Sequence, residues 1–146
     1  MNATCKSSRA GFLGIVAATA VSLAAYSGAI SAGQSKVELS GAQEVPPVTT
    51  SASGSGTITV NADMSVSGSV TTSGVPGTMA HIHNAAAGKN GPVIIPLTKS
   101  RDNTWAVPAG AKLTEAQYKA YEAGDLYVNV HSAAHKGGEV RGQLKP

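Results

Sequence analysis

The chain has 146 residues, with 11 Lys plus Arg against 8 Asp plus Glu and a single cysteine. Cys5 falls in a leader-like amino terminus, so a processed chain holds no thiol; disulfides, thiolate metal sites and a cysteine nucleophile are excluded. Lys6 and Arg9 fall there too, and without them nine basic residues face eight acidic ones, which removes the electrostatic case for nucleic acid or an anionic membrane as partner.

The leader begins with Lys6 and Arg9, continues as an apolar run from Phe12 to Ala25 and ends in small residues. That order predicts a secretory signal peptide over residues 1–32, cut after Ala29 or Ala32. The apolar run is shorter than the roughly 20 residues a spanning helix needs. A periplasmic or secreted protein with no membrane partner after cleavage is expected. The remaining residues, 33–146, suit one domain with one core.

Glycine, serine, threonine and valine dominate that remainder and favour strands joined by tight turns. "SKVELS" and "SGTITV" alternate apolar and polar residues, and "MSVSGSV" puts Met64, Val66 and Val70 on one side. "PVIIPLT", "TWAV", "LYVNVH" and "GEVRGQL" follow, separated by turn signals such as Val75-Pro76-Gly77, Lys89-Asn90-Gly91 and Lys136-Gly137-Gly138. About eight short strands, each with one solvated face, predict an all-β, antiparallel Greek-key β-sandwich. One short helix interrupts them in "KLTEAQYKAYEAGDLY". Thr114 and Gln117 have capping-box spacing, Leu113 and Tyr118 have staple spacing, and Gly124 is placed to end it. Tyr118 and Tyr121 read as packing residues.

All four histidines sit in two segments, "AHIH" and "LYVNVHSAAH". Strand alternation sends Ala80 and Ile82 one way and Met79, His81 and His83 the other. In the second segment Leu126, Val128 and Val130 form the apolar row, opposite Tyr127, Asn129 and His131. The histidines therefore project from the outer face. Two imidazoles at i and i+2 have Cα atoms only about 7 Å apart, and His131 from a neighbouring strand would complete a three-nitrogen metal site. His135, four residues on in a loop, is a candidate fourth ligand, an outer partner or an exposed residue.

Three motifs in order, "LSGAQEVPPV", "AHIH" with "GKNGPVIIPL" after it, and "LYVNVHSAAHKGGEVRGQL", resemble the CHRD domain, the repeated module of chordin that also occurs alone in exported bacterial proteins. The resemblance spans residues 36–144. It implies an extracytoplasmic sandwich of immunoglobulin-like or dismutase-like type, without a defined molecular activity. His81, His83 and His131 are also similar to the copper site of copper/zinc superoxide dismutase. No second His/Asp cluster for zinc, no cysteine pair and no bridging histidine accompany them. Arg141 invites comparison with that family's substrate-guiding arginine, but alternation puts Glu139, Arg141 and Gln143 on one face and favours a structural Glu139–Arg141 polar row.

Three neutral imidazoles suit copper or zinc, and intrinsic affinity favours copper. Glu44 in "QEVPPV" is the one carboxylate in a motif of open purpose, a turn anchor before Pro46-Pro47 being the alternative to a general base. Three classes of function follow: a copper-binding protein with a surface three-histidine site, a non-catalytic interaction or matrix module with a protein partner, and a copper-dependent dismutase.

Overall fold

The computed structural model describes residues 1–2 and 33–146. The predicted signal peptide and its cleavage sites at Ala29 and Ala32 lie outside the described residues. Nine antiparallel strands run in chain order as β1 (Gly33–Ser40), β2 (Ser53–Val60), β3 (Val66–Ser73), β4 (Gly77–Asn84), β5 (Val93–Pro96), β6 (Thr98–Arg101), β7 (Thr104–Ala106), β8 (Leu126–Ser132) and β9 (Val140–Leu144), with helix α1 (Glu115–Glu122) between β7 and β8. The predicted all-β architecture with one short helix holds.

Hydrogen bonding joins the strands in the order β5-β4-β8-β9-β1-β2-β3-β7-β6. The two halves join where β1 runs alongside β9: their ladder is registered at Ser40 and Arg141, Gly142 lies against Val37 and Glu38, and Ser35 Oγ donates to Lys145 O. The sheet curls until its ends face each other across one core. A Cβ added at Gly77 in β4 would lie 3.0 Å from the Trp105 ring in β7 and 3.1 Å from Val130 in β8, so the next-to-outermost strands of opposite halves meet there.

The core is the alternating apolar row of each strand. Val37 and Leu39 of β1, Ile58 and Val60 of β2, Val70 of β3, Ala80 and Ile82 of β4, Val128 and Val130 of β8, and Val140 and Leu144 of β9 are almost wholly withdrawn from water. Burying each Val, Leu or Ile side chain contributes about 1.5–3 kcal/mol relative to exposure. Period-two alternation fixes the register, because a slip of one residue would turn every one of these side chains to the opposite face.

Two details differ from the sequence reading. Met64 precedes β3 rather than belonging to it: its φ of +67° turns the chain, and its carbonyl accepts from the Leu113 amide. "PVIIPLT" divides around Leu97 into β5 and the start of β6, because the Leu97 amide donates across to Ala80. The helix follows expectation. Thr114 accepts from the Gln117 amide and the Gln117 side chain accepts from the Thr114 amide. Gly124, at φ +79°, supplies the left-handed turn that leads into β8. Tyr121 is buried against β1, with its hydroxyl 3.0 Å from Ser35 Oγ. Among the described residues no helix is long and apolar enough to cross a membrane.

Candidate metal centre

β4 and β8 pair along nearly their full lengths, with Met79 opposite His131, His81 opposite Asn129 and His83 opposite Tyr127. Directly opposite residues of an antiparallel pair have Cβ atoms about 4.5–5.5 Å apart. The outer rows of the two strands therefore merge into one patch. His81, His83 and His131 each offer a ring nitrogen within 4.8 Å of the others.

The outer face is not a surface, which corrects the expectation of a surface site. His83 is 8% and His131 7% exposed, Tyr127 and Asn129 are 2% exposed, and only His81 is half-buried. Every residue of β8 is buried on both faces. The physical reason is that the connections at 85–92 and 132–138 fold back over this part of the sheet and are bonded to it. Gly91 O receives His83 Nδ1 at 2.9 Å, and Lys136 O receives His131 Nδ1 at 2.9 Å.

Those two carbonyls settle the tautomers. A carbonyl can only accept, so Nδ1 carries a proton in both rings, and in the neutral form of each ring the lone pair lies on Nε2. His131 Nε2 faces His81 Nδ1 at 3.0 Å. His83 Nε2 is buried and has no hydrogen-bond partner. Burial, then the neighbouring His131 and His83, pull the His81 pKa below its ordinary value; for His83 burial dominates and outweighs the opposing bond from Gly91. Neutral imidazoles are the state in which histidine binds a metal, and a carbonyl on the far nitrogen is the usual outer support; where His131 Nε2 is the acceptor, His81 donates to it from Nδ1 and would have to turn to present its lone pair to an ion.

The group fits a transition-metal ion in donor type and nearly in span. Nitrogens bound at about 2.0–2.1 Å to one ion can be no more than about 4.2 Å apart. At a tetrahedral angle the nitrogens would be about 3.4 Å apart, so ring rotations have to close the widest pair by about an ångström and a half. His135 is not in this group: its carbonyl accepts from the Ser132 and Gly138 amides inside the 132–138 turn, and its residue borders a separate cleft with Glu44 and Val48.

Behind the histidines lies a layer that the sequence reading missed. Tyr127 stacks flat on His83, with centroids 4.8 Å apart and planes 5° from parallel, and the Arg141 guanidinium carbon lies 3.4 Å from the centre of the Tyr127 ring. Arg141 is 1% exposed, and its fork donates to Lys89 O at 2.8 Å, Ala86 O at 3.2 Å and Gln143 Oε1 at 3.1 Å. Glu139, Arg141 and Gln143 share one row as expected, but Glu139 and Arg141 do not pair. Glu139 accepts from Thr50 instead, because the guanidinium is drawn beneath the 85–92 connection by three acceptors and an aromatic face. Arg141 thus braces the segment whose Gly91 carbonyl orients His83.

Glu44 is buried at 4% exposure beside Asn129, and its carboxyl is pushed up to about 7, chiefly by burial, against the lowering effects of Arg141 and of a hydrogen bond from Asn129. Gly138, at φ +132°, lets the backbone pass over this pair: a Cβ there would collide with Glu44 Oε1 and lie 2.6 Å from Asn129 Nδ2. Glu44 Oε1 and Asn129 Oδ1 join His83 Nε2 as buried polar atoms without a partner. The signal for Asn129 was available in the sequence, since asparagine is disfavoured inside strands and this one interrupts "LYVNVH".

The CHRD domain family matches residues 35–144, well over half of the chain. The chain belongs to the CHRD domain family. No curated protein and no solved structure matches it. The three CHRD motifs noted in the sequence meet in space at this centre. "AHIH" supplies two histidines, the segment after it supplies Gly91, "LYVNVH" supplies the third histidine with Tyr127 and Asn129, and "QEVPPV" supplies the buried Glu44.

Proposed function

We propose that this CHRD protein is an exported copper-binding protein, with His81, His83 and His131 as ligands. The observation that carries the reading is the set of three imidazoles whose ring nitrogens lie within 4.8 Å of one another, one of them, His83, having a buried Nε2 without a hydrogen bond of good geometry. Leaving such an atom unpaired costs about 1–3 kcal/mol, and a bound cation would remove that cost. Among divalent first-row ions, copper has the highest intrinsic affinity for imidazole sites. The leader at residues 1–32 supports export.

Turnover of the dismutase kind has less support. Arg141, the residue that would guide an anion, is buried and holds three backbone or side-chain acceptors. Binding for storage, delivery or protection needs only the ligands.

Calorimetric titration of the domain with Cu(II) and Zn(II), beside a His81→Ala, His83→Ala double variant, tests the proposal. One-to-one copper binding that the variant loses is expected. No binding, or binding equal in both proteins, would move the reading to a protein-interaction or matrix module.

A further inference from the structure

Met79 stands on the same row as His81 and His83 and directly opposite His131. It is 51% exposed, whereas Tyr127, Asn129, His131 and His83 on that shared patch are each 8% exposed or less. The cover explains the contrast. The 85–92 connection closes over His83 and the 132–138 turn closes over His131, which leaves the centre open at the edge bounded by His81 and Met79. A large apolar side chain exposed to water gains nothing from burial there. Its chemistry is that of a thioether on a flexible stem with three rotatable bonds, set one cross-strand neighbour from a ligand histidine.

We propose that Met79 supplies a soft sulfur ligand on the open side of the three-histidine group, so that the centre holds copper in its monovalent state. The inference rests on the copper reading above and adds the oxidation state to it. Thioether sulfur selects Cu(I), whereas imidazole serves Cu(II) and Zn(II) as well. Sulfur from Met79 would therefore bias the site toward the reduced ion without changing the three nitrogens.

The test compares the wild-type domain, Met79→Leu and the His81→Ala, His83→Ala variant. Cu(I) affinity is measured anaerobically by competition with a chromophoric chelator, Cu(II) affinity by calorimetry, and the sulfur by X-ray absorption of the Cu(I)-loaded protein. Leucine keeps the size and apolarity of the side chain and removes only the sulfur. The expected result is a sulfur neighbour of copper in the wild type that Met79→Leu lacks. Cu(I) affinity should fall by at least the roughly tenfold that losing even an outer partner costs, with Cu(II) affinity unchanged. If Met79→Leu binds Cu(I) as tightly as the wild type and no sulfur is detected, Met79 is not a ligand, while copper loss in the histidine variant would leave the parent reading standing. If the wild type binds copper in neither state, both readings fall together.

Discussion

The outer face of β2 and β3 and the outer face of β4 and β8 belong to the same curled sheet and have opposite fates. On β2 and β3 the outward row is Ser53, Ser55, Thr57, Thr59, Ser67, Ser69, Thr71 and Ser73, small hydroxyl residues left wholly or partly in water. On β4 and β8 the outward row is aromatic, amide and imidazole with one thioether, and two connections cover all of it but the edge at Met79 and His81. Both faces of β8 are buried, but not alike. Its inner face meets apolar side chains of a core in which Trp105 Nε1 is the one buried polar atom without a partner among the described residues, while its outer face, with Glu44 and His83, leaves three. Native proteins pair nearly all buried polar groups. A cluster of exceptions on one patch marks a place shaped for something other than stability.

That contrast can be broken from the apolar side first. Ile82→Ala, on the inner face of β4, removes a side chain that is 1% exposed and should destabilise the fold by about 2–5 kcal/mol. Urea denaturation followed by tryptophan fluorescence would read it through Trp105. A loss below 1 kcal/mol would show that the inner face is not the stabilising one.

Glu44 gives the next largest effect, and its direction depends on pH. Because burial raises the folded carboxyl from 4.5 to about 7, the folded state holds its proton where the unfolded chain has released it. Stability is therefore greatest below pH 4.5 as far as this group is concerned, and declines as pH rises through about 7. Glu44→Gln keeps the shape and cannot ionise. At pH 8 the variant should be more stable than the wild type by ~3 kcal/mol, with the difference vanishing near pH 4.5. Thermal melts across that range would show it; an equal pH slope in both proteins would place the carboxylate in contact with water.

The smallest expected effect is the most diagnostic. His83→Leu removes the unpartnered nitrogen together with one bond to Gly91 O, two changes of opposite sign. Metal-free stability should stay within about 1 kcal/mol of the wild type, while copper affinity collapses. A loss as large as that of Ile82→Ala would make His83 a structural residue.

The parts of this molecule that were legible in the sequence are those set by neighbours along the chain. Alternation in "SKVELS" and "LYVNVH" gave the faces, Thr114 and Gln117 gave the capping box, and the i, i+2 spacing put His81 and His83 on one row. The convergence of His131 with them depends on β4–β8 register, which alternation allows but does not select. What covers the outer face was not legible. The bonds from His83 to Gly91 and from His131 to Lys136 join side chains to backbone carbonyls, which every residue type carries and which therefore leave no mark in the sequence. Arg141 misled for a related reason: its row was read correctly, but its partners are carbonyls of a connection more than 50 residues away in sequence.

The central claim is that one copper ion sits among His81, His83 and His131. Anomalous diffraction at the copper edge from copper-loaded crystals of the domain tests it most directly. A single strong peak within bonding distance of one ring nitrogen each of His81, His83 and His131 is expected. A peak elsewhere, or none at this group in crystals that hold copper at other positions, would contradict it.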